Sequence, residues 1–584
     1  MKKYVSIVMI AVVWSVTSGC TTGDDPKDTA YNDADTDTDT DTDTDSDTNA
    51  DSDTESTGGT DTDCANTECD EPSVVFVAWD VETSGDGTTW DAAFKTVKEG
   101  IDAAVALTSA CCSTQVWVKA GNYYAYLESQ SDSFELAPFV EVYGGFSGTE
   151  SKIDERDFWA NRTVLSSHEF DNSPTRVDST VIGVDASRID GFEIVEGNHQ
   201  AIYNNSASPI IADCFFIGGT AEAVSNRKGS SPTILGSVFM NNAICVSSSG
   251  GGTTTIENSV FVHNGGSTDV LVEGADQFII KNSIFGNHFC SGSCKAAYSS
   301  IYSWGNLSIE DSIFVGNEGF GGQSVGTLYL QGTSTILSSV FIGNEFTKDG
   351  SSGQNSGDMS MANSTMAENS ADQGGAIYVT GDGTMNLYNS ILWNNTPDQI
   401  YGPNADLVVR YSDVEGWDGG EGNIAPSADP GFVGQVSESV VGEATYDEAH
   451  FQSVVPAEEG VGWKPEAFKG LFLKTVTTVI LAYDEEGNPE DISEVTDWFY
   501  IVDNTENSLF LWGDMREDIL EGAQMFVFDF HLSSNSPCID AGDGDKAPEQ
   551  DRDGNLRVDT SETLNTGIGS SEYTDMGAYE YQPK

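Results

Sequence analysis

The sequence predicts an all-β chain: a right-handed parallel β-helix with an N-terminal helical cap and a β-rich C-terminal region. Three observations carry this. One short phrase returns from about Asp190 to Trp417, anchored at Cys214, Ser237, Ser259, Ser283, Ser312, Ser339, Ser364, Ser390 and Ser412. The anchors lie 23, 22, 24, 29, 27, 25, 26 and 22 residues apart, and a period in that range marks stacked coils rather than a globule. Three residues before each anchor stands an aliphatic residue or Met (Ile211, Ile234, Ile256, Ile280, Ile309, Ile336, Met361, Leu387, Val409). Five after most of them stands Asn (Asn242, Asn264, Asn317, Asn344, Asn369, Asn395). The segments between are short strands without helical periodicity. A lone coil cannot bury its apolar side, but coils stacked at ~4.8 Å can, and amides at that spacing can bond as a ladder. The right hand follows from the general handedness of parallel crossovers.

One detail resists a simple strand. Strict alternation puts each anchor on the same face as the residue two later (Phe239, Phe261, Phe285) and turns Val238, Val260 and Ile284 outward. Either that column is covered or the strand kinks.

Residues 1–19 read as an export signal: Lys2 and Lys3, an apolar run from Val5 to Val16, then Thr17-Ser18-Gly19-Cys20. The run is too short to span a bilayer. Small residues ending in Cys resemble the lipobox of bacterial lipoproteins, with Thr17 where that motif usually has Leu. The resemblance implies cleavage before Cys20, a lipid on its sulfur and, because Thr21 rather than Asp follows, an outer-membrane address at the cell surface. Residues 20–72 then form an Asp/Thr-rich tether that cannot bury a core and repels itself into an extended stalk.

Residues 73–189 cap the stack and begin it. Trp90, Phe94, Val97, Ile101, Ala104 and Val105 follow helical spacing, with Thr88 or Thr89 as N-cap and Asp91 in the first turn. A stacked repeat needs such a lid over its open apolar end. Val116–Tyr123 and Val140–Phe146 read as the first coils. Residues 190–432 hold the repeats. In residues 433–584 the texture changes, and Trp498–Asn504 with Ser508–Asp514 reads as an antiparallel hairpin.

The formal charge is −69, and most of it falls after the tether. A body this acidic argues against nucleic acid or anionic lipid as partner, since phosphate binding needs Lys and Arg. It is compatible with Ca²⁺ or a cationic surface. Ten Cys in an exported chain suggest disulfides. Cys290 and Cys294 are spaced to close a small loop, and Cys64, Cys69, Cys111 and Cys112 to pair around the cap. Cys214 and Cys538 read instead as small buried residues.

Two resemblances follow from these residues. Phe-x-x-Asn (Phe239 to Asn242, Phe261 to Asn264, Phe314 to Asn317, Phe341 to Asn344) with Gly374-Gly375-Ala376-Ile377 resembles the repeats of polymorphic outer membrane proteins, which are surface β-helix adhesins. The segment around Trp90, Gly144-Gly145-Phe146, Tyr411-Ser412-Asp413-Val414, Asp429-Pro430, Ser536–Asp543 and Asp575–Tyr581 together resemble bacterial surface proteins with a pectate-lyase-like β-helix and a choice-of-anchor Q terminus. The first family ends in a membrane barrel that this sequence does not show. The second implies architecture rather than activity.

The expected role is adhesion or glycan binding, with polysaccharide or another cell surface as partner. The alternative is a polysaccharide lyase or glycoside hydrolase, which needs a base among carboxylates or two carboxylates at ~5–9.5 Å. Glu257, Lys281 and Glu310 form an acid–base–acid ladder on adjacent coils, and a plain cross-strand ion-pair ladder is the simpler reading. The longer turns after coils place Phe289, Phe320 and Phe346 where rings can grip a sugar or, more simply, tuck the loops down. Asp543, Asp545, Asp551 and Asp553 are the candidate Ca²⁺ ligands. They do not make an EF-hand, because Thr560 stands where that loop needs Glu.

Overall fold

A computed structural model describes residues 72–108, 112–266, 268–274, 276–291, 299–320, 326–346, 353–381, 383–457, 461–483 and 489–583. Cys20, the expected export signal and residues 20–71 of the expected tether lie outside them. The packed unit runs to Val479 and resumes at Glu494, leaving Ile480–Ser493 outside it.

The chain forms a parallel β-solenoid of about 11 turns with very little helix. Three parallel sheets run along it, of 13 (sheet I), 11 (sheet II) and 12 strands (sheet III). One coil illustrates the path: Thr253–Glu257 lies in sheet I, Val260–Val262 in sheet III and Thr268–Glu273 in sheet II. The predicted interior file is in register: Ile211, Ile234, Ile256, Ile280, Ile309, Ile336, Met361, Leu387 and Val409 pair in succession. Beside it Phe216, Phe239, Phe261, Phe285, Phe314 and Phe341 stack ring on ring, for example at 4.5 Å and 3° between Phe239 and Phe261.

The anchor serine has a double task. Ser237 Oγ donates to the Leu235 carbonyl at 2.9 Å and accepts the Cys214 N–H at 3.2 Å, and the same pair of bonds recurs along the column to Ser412. The Asn column is likewise a ladder. Asn344 Oδ1 accepts the Asn317 N–H at 3.1 Å and its side-chain amide at 2.9 Å, and Asn369 and Asn395 continue the pattern. Buried backbone groups at the corners are thereby satisfied.

The alternation puzzle has two answers. The residue before the anchor is left-handed (Asp213, Gly236, Asn258, Asn282, Asp311, Ser338, Asn363, Asn389, Tyr411), so the chain turns a corner between sheets I and III. Asn, Asp and Gly tolerate that conformation best. The outward column it creates is also covered. Val238, Val260, Val262, Ile313, Val340 and Ile342 are buried beneath the C-terminal region, whose Phe499, Ile501, Leu511, Trp498 and Phe530 share their clusters. That region is an antiparallel seven-stranded sheet. It contains the predicted hairpin, with Ile501 opposite Leu511 and Asn504 opposite Leu509.

The cap differs from expectation. Trp90–Ala92 is a single 3₁₀ turn capped by Thr89. The helix, α1, spans Val97–Leu107 and starts at Thr96, whose hydroxyl and Glu99 form a capping box. That box outcompetes the earlier Thr because it satisfies two orphan N–H groups instead of one. Val97, Ile101 and Ala104 close the end of the core, whereas Val105 faces solvent. Sheet I begins with Ser73–Val77, before the first coils that the sequence suggests.

Cys214, Cys245 and Cys538 are free and buried. Cys112 is disulfide-bonded; the other Cys proposed to pair have no described side chain.

Candidate functional site

Sheet II presents its alternate residues outward in a column that the coil register fixes: Leu271, Tyr302, Tyr329, Gln354, Tyr378 and Tyr401. Each is half-buried, while the residues flanking Tyr329 and Tyr378 in their strands (Leu328, Leu330, Ile377 and Val379) are fully buried. The tyrosines are there for a physical reason. A β-strand position facing water on an otherwise apolar strand suits a residue with an apolar body and a polar tip.

The rings are ordered. Tyr302 and Tyr329 stack at 4.7 Å, and Tyr378 and Tyr401 at 5.4 Å. Trp304 meets Tyr302 edge-on at 4.9 Å and 89°, and it is 42% exposed. Its indole therefore stands across the tyrosine ladder. Polar groups frame the rings: Gln331 Nε2 donates to the Tyr329 hydroxyl at 2.7 Å. The Tyr302 hydroxyl is pushed up by burial and by Tyr329, so it remains a neutral donor and acceptor. Such a surface offers flat apolar rings beside fixed hydroxyls and amides, the combination that sugars require.

The residues singled out from sequence fall elsewhere. Phe289, Phe320 and Phe346 belong to a small parallel sheet, Phe289–Ser291, Glu318–Phe320 and Glu345–Phe346. Phe289 is half-buried and Phe346 is 2% exposed, so Phe346 is packed down on the stack instead of offering a face. The side chain of Phe320 and the loops beyond these strands lie outside the described residues.

The four aspartates are not brought together. Asp551 is buried and accepts N–H groups from Asp553, Asn555 and Glu580. Asp553 pairs with His531 at 2.8 Å. Asp543 accepts the Asp545 N–H at 3.0 Å, and Asp545 accepts that of Ser570 at 2.9 Å. Their lone pairs organise turns, and among the described residues no group of three or more His, Cys, Asp or Glu is disposed to hold a metal. Lys281 pairs with Glu310 at 2.8 Å, and its ammonium is raised by that bond. Glu257 and Glu310 flank it in register. This is the plain ion-pair ladder.

The ring column was visible in sequence as Leu-Tyr-Leu at Leu328–Leu330 and Ile-Tyr-Val at Ile377–Val379. A tyrosine recurring between two buried aliphatics is the signal that these strands carry an aromatic outer face.

No protein-family model matches the chain, and no curated protein matches it. Among solved structures it is similar to pectate lyase Pel9A, at 14% identity and a TM-score of 0.40 over 87% of this chain and 96% of that one. It is similar to an alginate lyase from Paenibacillus sp. str. FPU-7, at 14% identity and a TM-score of 0.32 over 52% and 95%. It is also similar to the tailspike protein of E. coli bacteriophage HK620 in complex with a pentasaccharide, at 10% identity and a TM-score of 0.31 over 79% and 94%. At these values nothing those proteins act on transfers to this chain.

Proposed function

We propose that this is a lipid-anchored outer-membrane surface protein that holds a glycan of a neighbouring surface along the tyrosine face of sheet II. The column of Tyr302, Tyr329, Tyr378 and Tyr401 with Trp304 carries the reading. The acidity of the chain, −69 formally, favours uncharged over anionic polysaccharides. The lipobox-like Thr17–Cys20 supplies the anchor, and the tether raises the body above the membrane.

A glycan array probed with residues 73–584 tests binding. Uncharged glycans are expected to score, and the double variant Trp304→Ala/Tyr329→Ala to lose at least about tenfold in affinity, given the usual contribution of stacked rings. Release of reducing or unsaturated sugar would replace this reading with the enzymatic one. Radiolabelled palmitate should enter the full chain and be lost in Cys20→Ala.

A further inference from the structure

At the last turn of the stack, residues 394–400 and 415–417 enclose a cleft of about 430 Å³. This volume lies within the range of small-ligand sites. Its wall contains two carboxylates, Asp398 and Glu415, and an indole, Trp417, with no Lys or Arg among the lining residues. Both carboxylates are fixed. Glu415 Oε2 accepts the Asn394 N–H at 2.9 Å and the Gln399 amide at 3.0 Å. Gln399 in turn accepts from Asn395, the last rung of the asparagine ladder, at 2.5 Å. Asp398 Oδ1 accepts the Gly374 N–H at 2.6 Å. Trp417 packs on the end of the hydrophobic core and is only half-buried. Lys474 does not line the cleft: it is held by Glu368 at 3.5 Å and by the ring of Trp498 at 5.0 Å.

Two anchored negative charges beside an aromatic wall select a cation. A metal ion fits poorly, because Ca²⁺ wants six to eight oxygens (~6–8) and no third carboxylate joins the pair. An ammonium needs far fewer ligands. It gains from each carboxylate and from the indole face, while the exposed hydroxyl of Thr396 suits the hydroxyl groups of a polyol. We propose that this cleft binds an amino sugar bearing a free, protonated amine. The cleft reaches Ile400, next to Tyr401 at the end of the tyrosine column, but shares no residue with that column and does not rest on that reading.

The full chain is titrated calorimetrically, at mildly acid pH and low salt, with the trisaccharide of β-linked glucosamine and with its fully N-acetylated form. The amine trimer is expected to bind, and the acetylated one to bind at least about tenfold more weakly, since acetylation removes the charge. Glu415→Gln and Asp398→Asn should each weaken the amine trimer by about tenfold, and raised salt should act in the same direction. Leu127→Ala, at an exposed position towards the opposite end of the stack, should leave it unchanged. If Glu415→Gln fails to fold, judged by its thermal melt, Asp398→Asn and the salt series still decide. Equal affinity for the two trimers, absence of amine binding, or indifference to both Asp398→Asn and salt overturns the proposal.

Discussion

Sheets II and III are laid down by the same coils, yet their outward faces differ. On sheet III the outward residues are aliphatic (Val238, Val260, Ile313, Val340) and the C-terminal region covers them. On sheet II, from Leu271 onward, they are a leucine, four tyrosines and a glutamine, left half-buried, with Trp304 exposed beside them. The difference shows that the coil itself dictates only its interior. An aliphatic column outside must find a cover, because leaving each such residue in water costs about 1.5–3 kcal/mol. A tyrosine column can stand in water with its hydroxyls solvated. One face therefore became an internal interface, and the other became available.

The largest test sets a buried charge against an exposed one. Val260→Asp is expected to destabilise by about 3–5 kcal/mol, because the carboxylate would be trapped unpaired beneath the C-terminal sheet. Leu271→Asp, on the open face of a neighbouring sheet, should stay within about 1 kcal/mol. Urea midpoints of the two variants compare them; equal losses would erase the distinction between the faces.

Next comes the contact that seats the cover. Gly343 has φ 62°, and a Cβ there would lie 2.1 Å from the Trp498 ring. Gly343→Ala should cost about 1–3 kcal/mol and raise protease sensitivity in residues 433–583 before the stack is cut. Cleavage spread evenly over both would contradict this order of release.

The cover also carries a pH dependence. His531 lies between Asp529 at 2.5 Å and Asp553 at 2.8 Å. Burial opposes its charge, but the bonds to the two carboxylates prevail and lift its pKa to about 10. A group raised above its ordinary ~6.5 lends stability that is full below that value and is lost as pH rises through the folded one. The urea midpoint should therefore fall between pH 7 and pH 10 in the native chain and change less in His531→Asn. Parallel profiles would remove the clamp from the account.

The smallest expected effects lie on exposed outer faces. Tyr329→Ala and Lys281→Met should each cost no more than about 1 kcal/mol, with Lys281→Met the more salt-sensitive. A loss of several kcal/mol at Tyr329 would make the ring column structural instead of functional.

The sequence by itself determined the coil. The period of the anchors, the aliphatic residue three before and the asparagine five after are repeated local signals, and a repeat needs only its own neighbours to bury its core. Ile256, Ile280 and Ile309 accordingly stand in one file. What only the tertiary structure decided is non-repeating. The Thr96–Glu99 capping box displaced the expected helix start, Asp551 spent its lone pairs on the turn around Asn555, and Phe346 turned inward. The fate of each outward column was also settled there, because whether a face is covered depends on where a segment some two hundred residues later comes to rest. No local period records that, and neither does the cleft that Asp398 shares with Glu415.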